Sequence, residues 1–119
     1  MRERYEGCLL REWGAWLVSE MERGISGSFP GAPVTDVLVR IWELWHGGEE
    51  EEARDLQNRH AAYMRVWQGM PSGARKHILV RRGVISTAYV RNKGIADLDA
   101  VDHAELDYAL GLLEPYFTV

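Results

Sequence analysis

Apolar positions in the first half of the chain recur at steps of three and four. Over residues 2–23, Tyr5, Leu9, Trp13, Trp16, Leu17 and Met21 make one stripe at helical period. Gly24 is placed to end that helix, because glycine accepts the left-handed conformation found at helix termini. Residues 24–33 (GISGSFPGAP) are glycine-, proline- and serine-rich and read as a loop, with Phe29 pinning it to the core. A second helix is predicted over 34–46, capped by Thr35 or Asp36, with Val34, Val37, Leu38, Ile41, Trp42 and Trp45 on one wide face. Gly47 and Gly48 stop it. Glu49, Glu50, Glu51 and Glu52 then open a third helix, their charge matching the positive end of the helix dipole. It runs through Gln68 with Ala53, Leu56, His60, Tyr63, Met64 and Trp67 on one side, and Gly69 ends it.

The C-terminal half carries two competing patterns. Pro71 and Ser72 have the character of a helix start, Ala74, Ile78 and Leu79 keep helical spacing over 72–82, and Gly83 interrupts them. Ser86 can cap a further helix over 86–93, ended by Gly94. The same stretch also reads as a β-hairpin at residues 78–90, with strands 78–80 and 84–90, because VISTAYV is rich in β-branched residues. Helices are the preferred reading, since an isolated hairpin has no sheet to join. A last helix over 97–114 carries Leu98, Val101, Tyr108 and Leu112 on one face, with Leu106, Ala109 and Leu113 beside them, before Pro115. The predicted fold is therefore all-α: one domain, 1–119, of five or six helices. A tryptophan-rich scaffold (1–69) precedes a basic helix-turn-helix-like segment (70–96) and an acidic C-terminal helix (97–119). The α+β alternative stays open.

Composition changes little in this picture; charge changes more. With 119 residues and 46% apolar content, the chain can bury a core without cross-links. Lone Cys8 fits a reducing cytoplasm. No apolar run approaches the ~20 residues that span a bilayer, and none follows the charged MRERYEG start, so neither membrane span nor secretory signal is expected. Residues 1–55 hold twelve acids and six bases, residues 56–96 hold eight bases and no acid, and residues 97–119 hold six acids and no base. That asymmetry points either to an anionic partner for the middle block or to neutralisation by the acidic tail folding back.

Candidate chemistry is sparse. His46, His60, His77 and His103 lie in separate segments without metal-ligand spacing, and Cys8 has no thiolate partner, so no metal or cofactor is expected. The four adjacent glutamates splay around a helix rather than converge. No phosphate loop, dinucleotide fingerprint, nucleophile elbow or zinc-protease motif occurs, which reads against an enzyme. Trp13, Trp16, Trp42 and Trp45 form two W-x-x-W pairs, and exposed members would anchor a protein partner. In the basic block a helix-turn-helix would place Ser86, Thr87, Tyr89 and Arg91 as base readers in the major groove. Arg75, Lys76, Arg81, Arg82 and Lys93 would hold phosphates.

The run Leu9-Leu10-Arg11-Glu12-Trp13-Gly14-Ala15-Trp16, followed by a Gly/Ser loop with Phe29-Pro30, resembles the opening of Q-type late-gene antitermination proteins of lambdoid and related phages. The resemblance implies a factor that binds double-stranded DNA near a late promoter, engages host RNA polymerase in the bacterial cytoplasm and makes it ignore terminators. Carried over by position, Ser86, Thr87, Tyr89 and Arg91 would read DNA. The alternative is a small phage adaptor or inhibitor that binds a host protein through its acidic surfaces, without sequence-specific DNA contact. Oligomeric state is left open.

Overall fold

The structure, a computed structural model, describes residues 10–12, 16–92 and 94–118. Helix dominates these residues, in keeping with the all-α expectation: α1 (Leu17–Glu22), α2 (Thr35–His46), α3 (Glu50–Gln68), α4 (Ala74–Arg81) and α5 (Ala100–Gly111). Short 3-10 turns at Ala32–Val34 and Glu114–Tyr116 flank the bundle. The long helices form where the apolar period said they would. α2 buries Val37, Leu38, Ile41 and Leu44. α3 buries Ala53, Leu56, Gln57, His60, Tyr63 and Met64. These two helices make the most extensive contact, and α3 also packs against α5. Gln57 is buried because its side-chain oxygen accepts a 2.6 Å hydrogen bond from the Val18 N–H at the start of α1. Gly24 and Gly83 take φ values of +85° and +71°, the left-handed turns at which α1 and α4 end.

Three expectations are corrected. The helix predicted over 2–23 is replaced, where described, by strand β1 (Leu10–Glu12) followed by α1; residues 1–9 and 13–15 lie outside the described residues. β1 pairs in parallel with β2 (Gly27–Phe29), in the register Leu10↔Gly27, Arg11↔Ser28, Glu12↔Phe29. A local period cannot reveal a pairing whose partner lies in the next segment. With α1 as the crossover, the result is a βαβ unit. Second, the helix predicted over 86–93 is absent, and so is the hairpin at 78–90. Ile78 lies in α4, whereas the chain from Val84 to Asp99 is irregular wherever it is described. The cause is local: β-branched Val84, Ile85, Thr87 and Val90 lose rotamer freedom in a helix, and the Thr87 hydroxyl accepts from the Tyr89 N–H at 3.2 Å. The helix-turn-helix therefore lacks its second helix. Third, Val101 and Tyr108, expected on the apolar face of the last helix, are exposed, and the inward side is made by Leu106, Ala109 and Leu113, which the sequence sets beside that face, together with Leu110. α5 opens on Ala100 because Asp99 and Asp102 form a reciprocal capping box.

Candidate functional site

A cavity of about 180 Å³ opens at the carboxyl end of β2. Its roof is the loop leaving the strand, Phe29, Pro30 and Gly31; its floor is the face of α3 that carries His60, Tyr63, Met64 and Trp67; Arg75 of α4 completes the wall. The helical spacing of the α3 residues brings all four to one side. Arg75 bridges the two layers. Its guanidinium carbon lies 5.2 Å from the centroid of the Trp67 ring system, and a methyl group at Gly31 would stand 3.8 Å from its Nη1.

The electrostatics of the cavity are set by burial. His60 is 1% exposed, and desolvation pushes its pKa down to about 4, so the ring is neutral at pH 7. Burial likewise raises the Tyr63 phenol, against the opposing charges of Arg82 and Arg75, and keeps it protonated. His60 Nδ1 and Trp67 Nε1 are both buried without a hydrogen-bond partner among the described residues. A histidine of that pKa is a weak general base near neutrality.

The basic block is largely consumed inside the fold. Arg82 Nη1 donates to Asp36 Oδ1 at 2.9 Å and to the Pro33 carbonyl at 2.7 Å, and its Nη2 binds the second Asp36 oxygen. Its guanidinium carbon lies 4.0 Å from the Phe117 ring centre, and the Thr118 N–H donates to Asp36 at 2.9 Å. Desolvation pulls the Asp36 pKa upward, but the bonds from Arg82 and Thr118 and the Arg82 charge together bring it below its ordinary value. Arg81 binds Asp107 and reaches His103 Nδ1 at 2.8 Å, and His77 Nε2 meets Asp97 at 3.1 Å. Both acidic blocks thus contribute carboxylates to the basic segment. Lys76 donates to the Tyr89 carbonyl at 2.7 Å, tying the irregular run to α4. Ser86, Thr87, Tyr89 and Arg91 are exposed on that run, without a helix to aim them, and Lys93 lies outside the described residues.

Of the tryptophans singled out for a partner, Trp13 lies outside the described residues and Trp16 is 65% exposed. Trp42 and Trp45 are half-buried against the core, Trp42 stacked on His46 and Trp45 facing Arg54. Among the described residues no three His, Cys, Asp or Glu side chains converge as metal ligands, and no helix is long and apolar enough to cross a membrane. In the sequence His60 stands out only as a member of the α3 apolar stripe and as a histidine without metal-ligand spacing, and Trp67 as a member of that stripe. The usable signal was a histidine inside an otherwise apolar helical face.

The chain matches no protein-family model and no curated protein. Among solved structures it is similar to a dihydrodipicolinate synthase from Rhodopseudomonas palustris, with 31% identity and a TM-score of 0.78. The match covers 89% of this chain and 36% of that one, so the chain spans about a third of the length of the structure it resembles. This overturns two sequence expectations. The protein it resembles is an enzyme, which removes the ground for reading the chain as a non-enzyme, and it points away from both phage antitermination and the host-protein adaptor. DNA and RNA polymerase gain no support as partners.

Proposed function

We propose that the chain forms the helical part of an α/β enzyme, a synthase of the kind it resembles, and that its β1–α1–β2 unit joins further parallel strands there. One observation carries the reading: similarity to a synthase extends over 89% of the chain at 31% identity. Local physics supports it. Two short strands are at best marginal as a sheet in water, and parallel sheets occur with several strands and both faces covered. Trp16 lies inside the unit and Phe29 ends it, exposed by 65% and 56%, so Phe29 does not pin its loop to the core as the sequence suggests. An apolar recess beside β2 is backed by Leu17, Leu38, Val39 and Trp42. The cavity at the carboxyl end of β2 also lies where α/β enzymes hold small molecules.

The test is to isolate the tagged chain from its native cells and assay dihydrodipicolinate formation by the chain alone and by the assembly that co-purifies. Synthase activity in the assembly, lost when Phe29→Asp places a charge at the end of β2, is the expected result. A folded chain whose native form makes no dihydrodipicolinate overturns the reading.

A further inference from the structure

We infer that a second copy of this chain docks the basic surface at the start of its α4 onto the outward face of α5, so that charges left over in the two regions meet between molecules. The inference goes beyond the enzyme reading and does not depend on it, because it concerns how the chain associates rather than what it converts.

The acid–base–acid pattern of the sequence is only partly resolved inside one molecule. Of the eight bases in residues 56–96, Arg59, Arg81 and Arg82 meet Asp55, Asp107 and Asp36. Of the six acids in residues 97–119, Asp97 and Asp107 meet His77 and Arg81. Among the described residues, Arg65, Arg75, Lys76 and Arg91 have no carboxylate at ion-pair distance. Asp99, Asp102, Glu105 and Glu114 likewise have no base there.

Three of those cations share one surface. Arg75 and Lys76 are exposed on the first turn of α4, and Lys76 Nζ donates to the Tyr89 carbonyl at 2.7 Å. Val90 packs against Gly73, 3.4 Å from where a Cβ would stand, so exposed Tyr89 and Arg91 are held beside the same turn. The opposite charge gathers on α5, which is apolar on two sides. Leu106, Ala109 and Leu110 are buried, while Val101 and Tyr108, 69% and 73% exposed, share the outward side with exposed Ala104 at spacings of three and four. A helix with apolar residues on both sides is ordinarily covered on both. Exposed Glu105 borders this outward stripe, and the Asp99–Asp102 capping box lies at its start.

Each face thus sets exposed tyrosine among charges of one sign, and the signs are opposite. A second copy brings to α5 the cations that the fold leaves unmatched. Two α5 faces laid together would instead oppose carboxylates with no base in residues 97–119 to separate them, which argues against a symmetric α5 pairing. Since the two faces differ, the contact is made either twice in a closed pair or once per chain in a head-to-tail series. Exposed ion pairs contribute little each and are screened by salt, so burial of Val101, Tyr108 and Tyr89 must carry part of the contact.

The probe is the full chain itself, followed by sedimentation velocity up to about 0.5 mM chain. Association that grows with concentration at about 20 mM NaCl and weakens at least tenfold at about 0.5 M is expected. Glu105→Arg and Arg75→Glu/Arg91→Glu chains should each self-associate at least about tenfold more weakly. Their equimolar mixture should regain association, because each supplies the charge that the other has lost. Tyr108→Ser should weaken association as well, whereas Arg40→Gln, an exposed cation on α2 outside both faces, should behave as the parent. A chain that stays monomeric at low salt up to about 0.5 mM overturns the inference and leaves the two faces to other partners. Association indifferent to salt, or weakened as much by Arg40→Gln as by the Glu105 and Arg75/Arg91 changes, overturns it too. So does a mixture of the two charge-reversed chains that fails to regain what each lost.

Discussion

Arg75 and Arg82 bracket α4 and meet opposite surroundings. Arg82, with its side chain 6% exposed, is held by both oxygens of Asp36, a backbone carbonyl and the face of Phe117. It fastens the C-terminal segment to α2, and only its Nε is left without a partner. Arg75 is exposed, with its guanidinium carbon 5.2 Å from the centroid of the Trp67 ring system. The same residue type in one basic block thus does two jobs. Where a cation has been matched by the fold, it is an internal fastening. Where the cation stays at the surface over an aromatic ring, water solvates its charge and the contact contributes little. Counting bases along the sequence cannot separate the two.

The comparison can be broken most severely at the Arg82 end. Asp36→Ala leaves a guanidinium buried without its carboxylate, and the expected loss is about 3–5 kcal/mol in urea unfolding. Asp36→Ala combined with Arg82→Met removes both charges and should recover most of that loss. A single substitution costing under about 1 kcal/mol would show that the pair is not a fastening.

The cavity end is sharpened by pH. His60 binds protons more readily when unfolded, at its ordinary value of 6.5, than in the fold at about 4. Its neutral burial therefore contributes full stability above pH 6.5, which falls away as pH drops toward about 4. The expected decline is about 3 kcal/mol and should flatten in His60→Leu. Asp36, with its pKa lowered from 3.8, contributes above that value and loses its contribution only as pH falls through the lower folded value. Denaturant titrations at stepped pH separate the two windows. A decline between pH 6.5 and 4 that persists in His60→Leu would assign it to another group.

The smallest effect is expected at Arg75. Arg75→Gln forfeits only an exposed cation–π contact, worth about 0.5–1 kcal/mol. A loss as large as that of Asp36→Ala would mean that Arg75 is a second fastening, and the contrast would collapse. Thermal unfolding of the parent and the Arg75→Gln chain decides it.

The central helices were legible because α2 and α3 bury one face each and the period of their apolar residues records it. Gly24 and Gly83 were legible as stops for a conformational reason that is local to each residue. The strand at Leu10–Glu12 was not, since its partner Gly27–Phe29 lies beyond α1 and a periodic stripe through Trp13 and Trp16 competes with it. The irregular course of residues 84–92 was half legible. The β-branched residues argued against a helix, and what settled the conformation is docking onto α4 through Lys76 and the Tyr89 carbonyl. The candidate site was the least legible part, because its walls come from a loop, α3 and α4, which no window of sequence holds together.

By itself the sequence determined the helical class, the core faces of α2 and α3, and a charge pattern of acid, base, acid. Each of these depends on neighbours within one or two turns or on composition alone. Only the tertiary structure decided that β1 and β2 pair, that Val101 and Tyr108 of α5 face outward, and that Asp36 neutralises Arg82 while Arg75 stays exposed at the cavity wall. Those outcomes depend on which distant groups meet and on how much water is excluded when they do. Electrostatic and hydrogen-bond energies are fixed by distance and burial in space, and spacing along the chain carries neither.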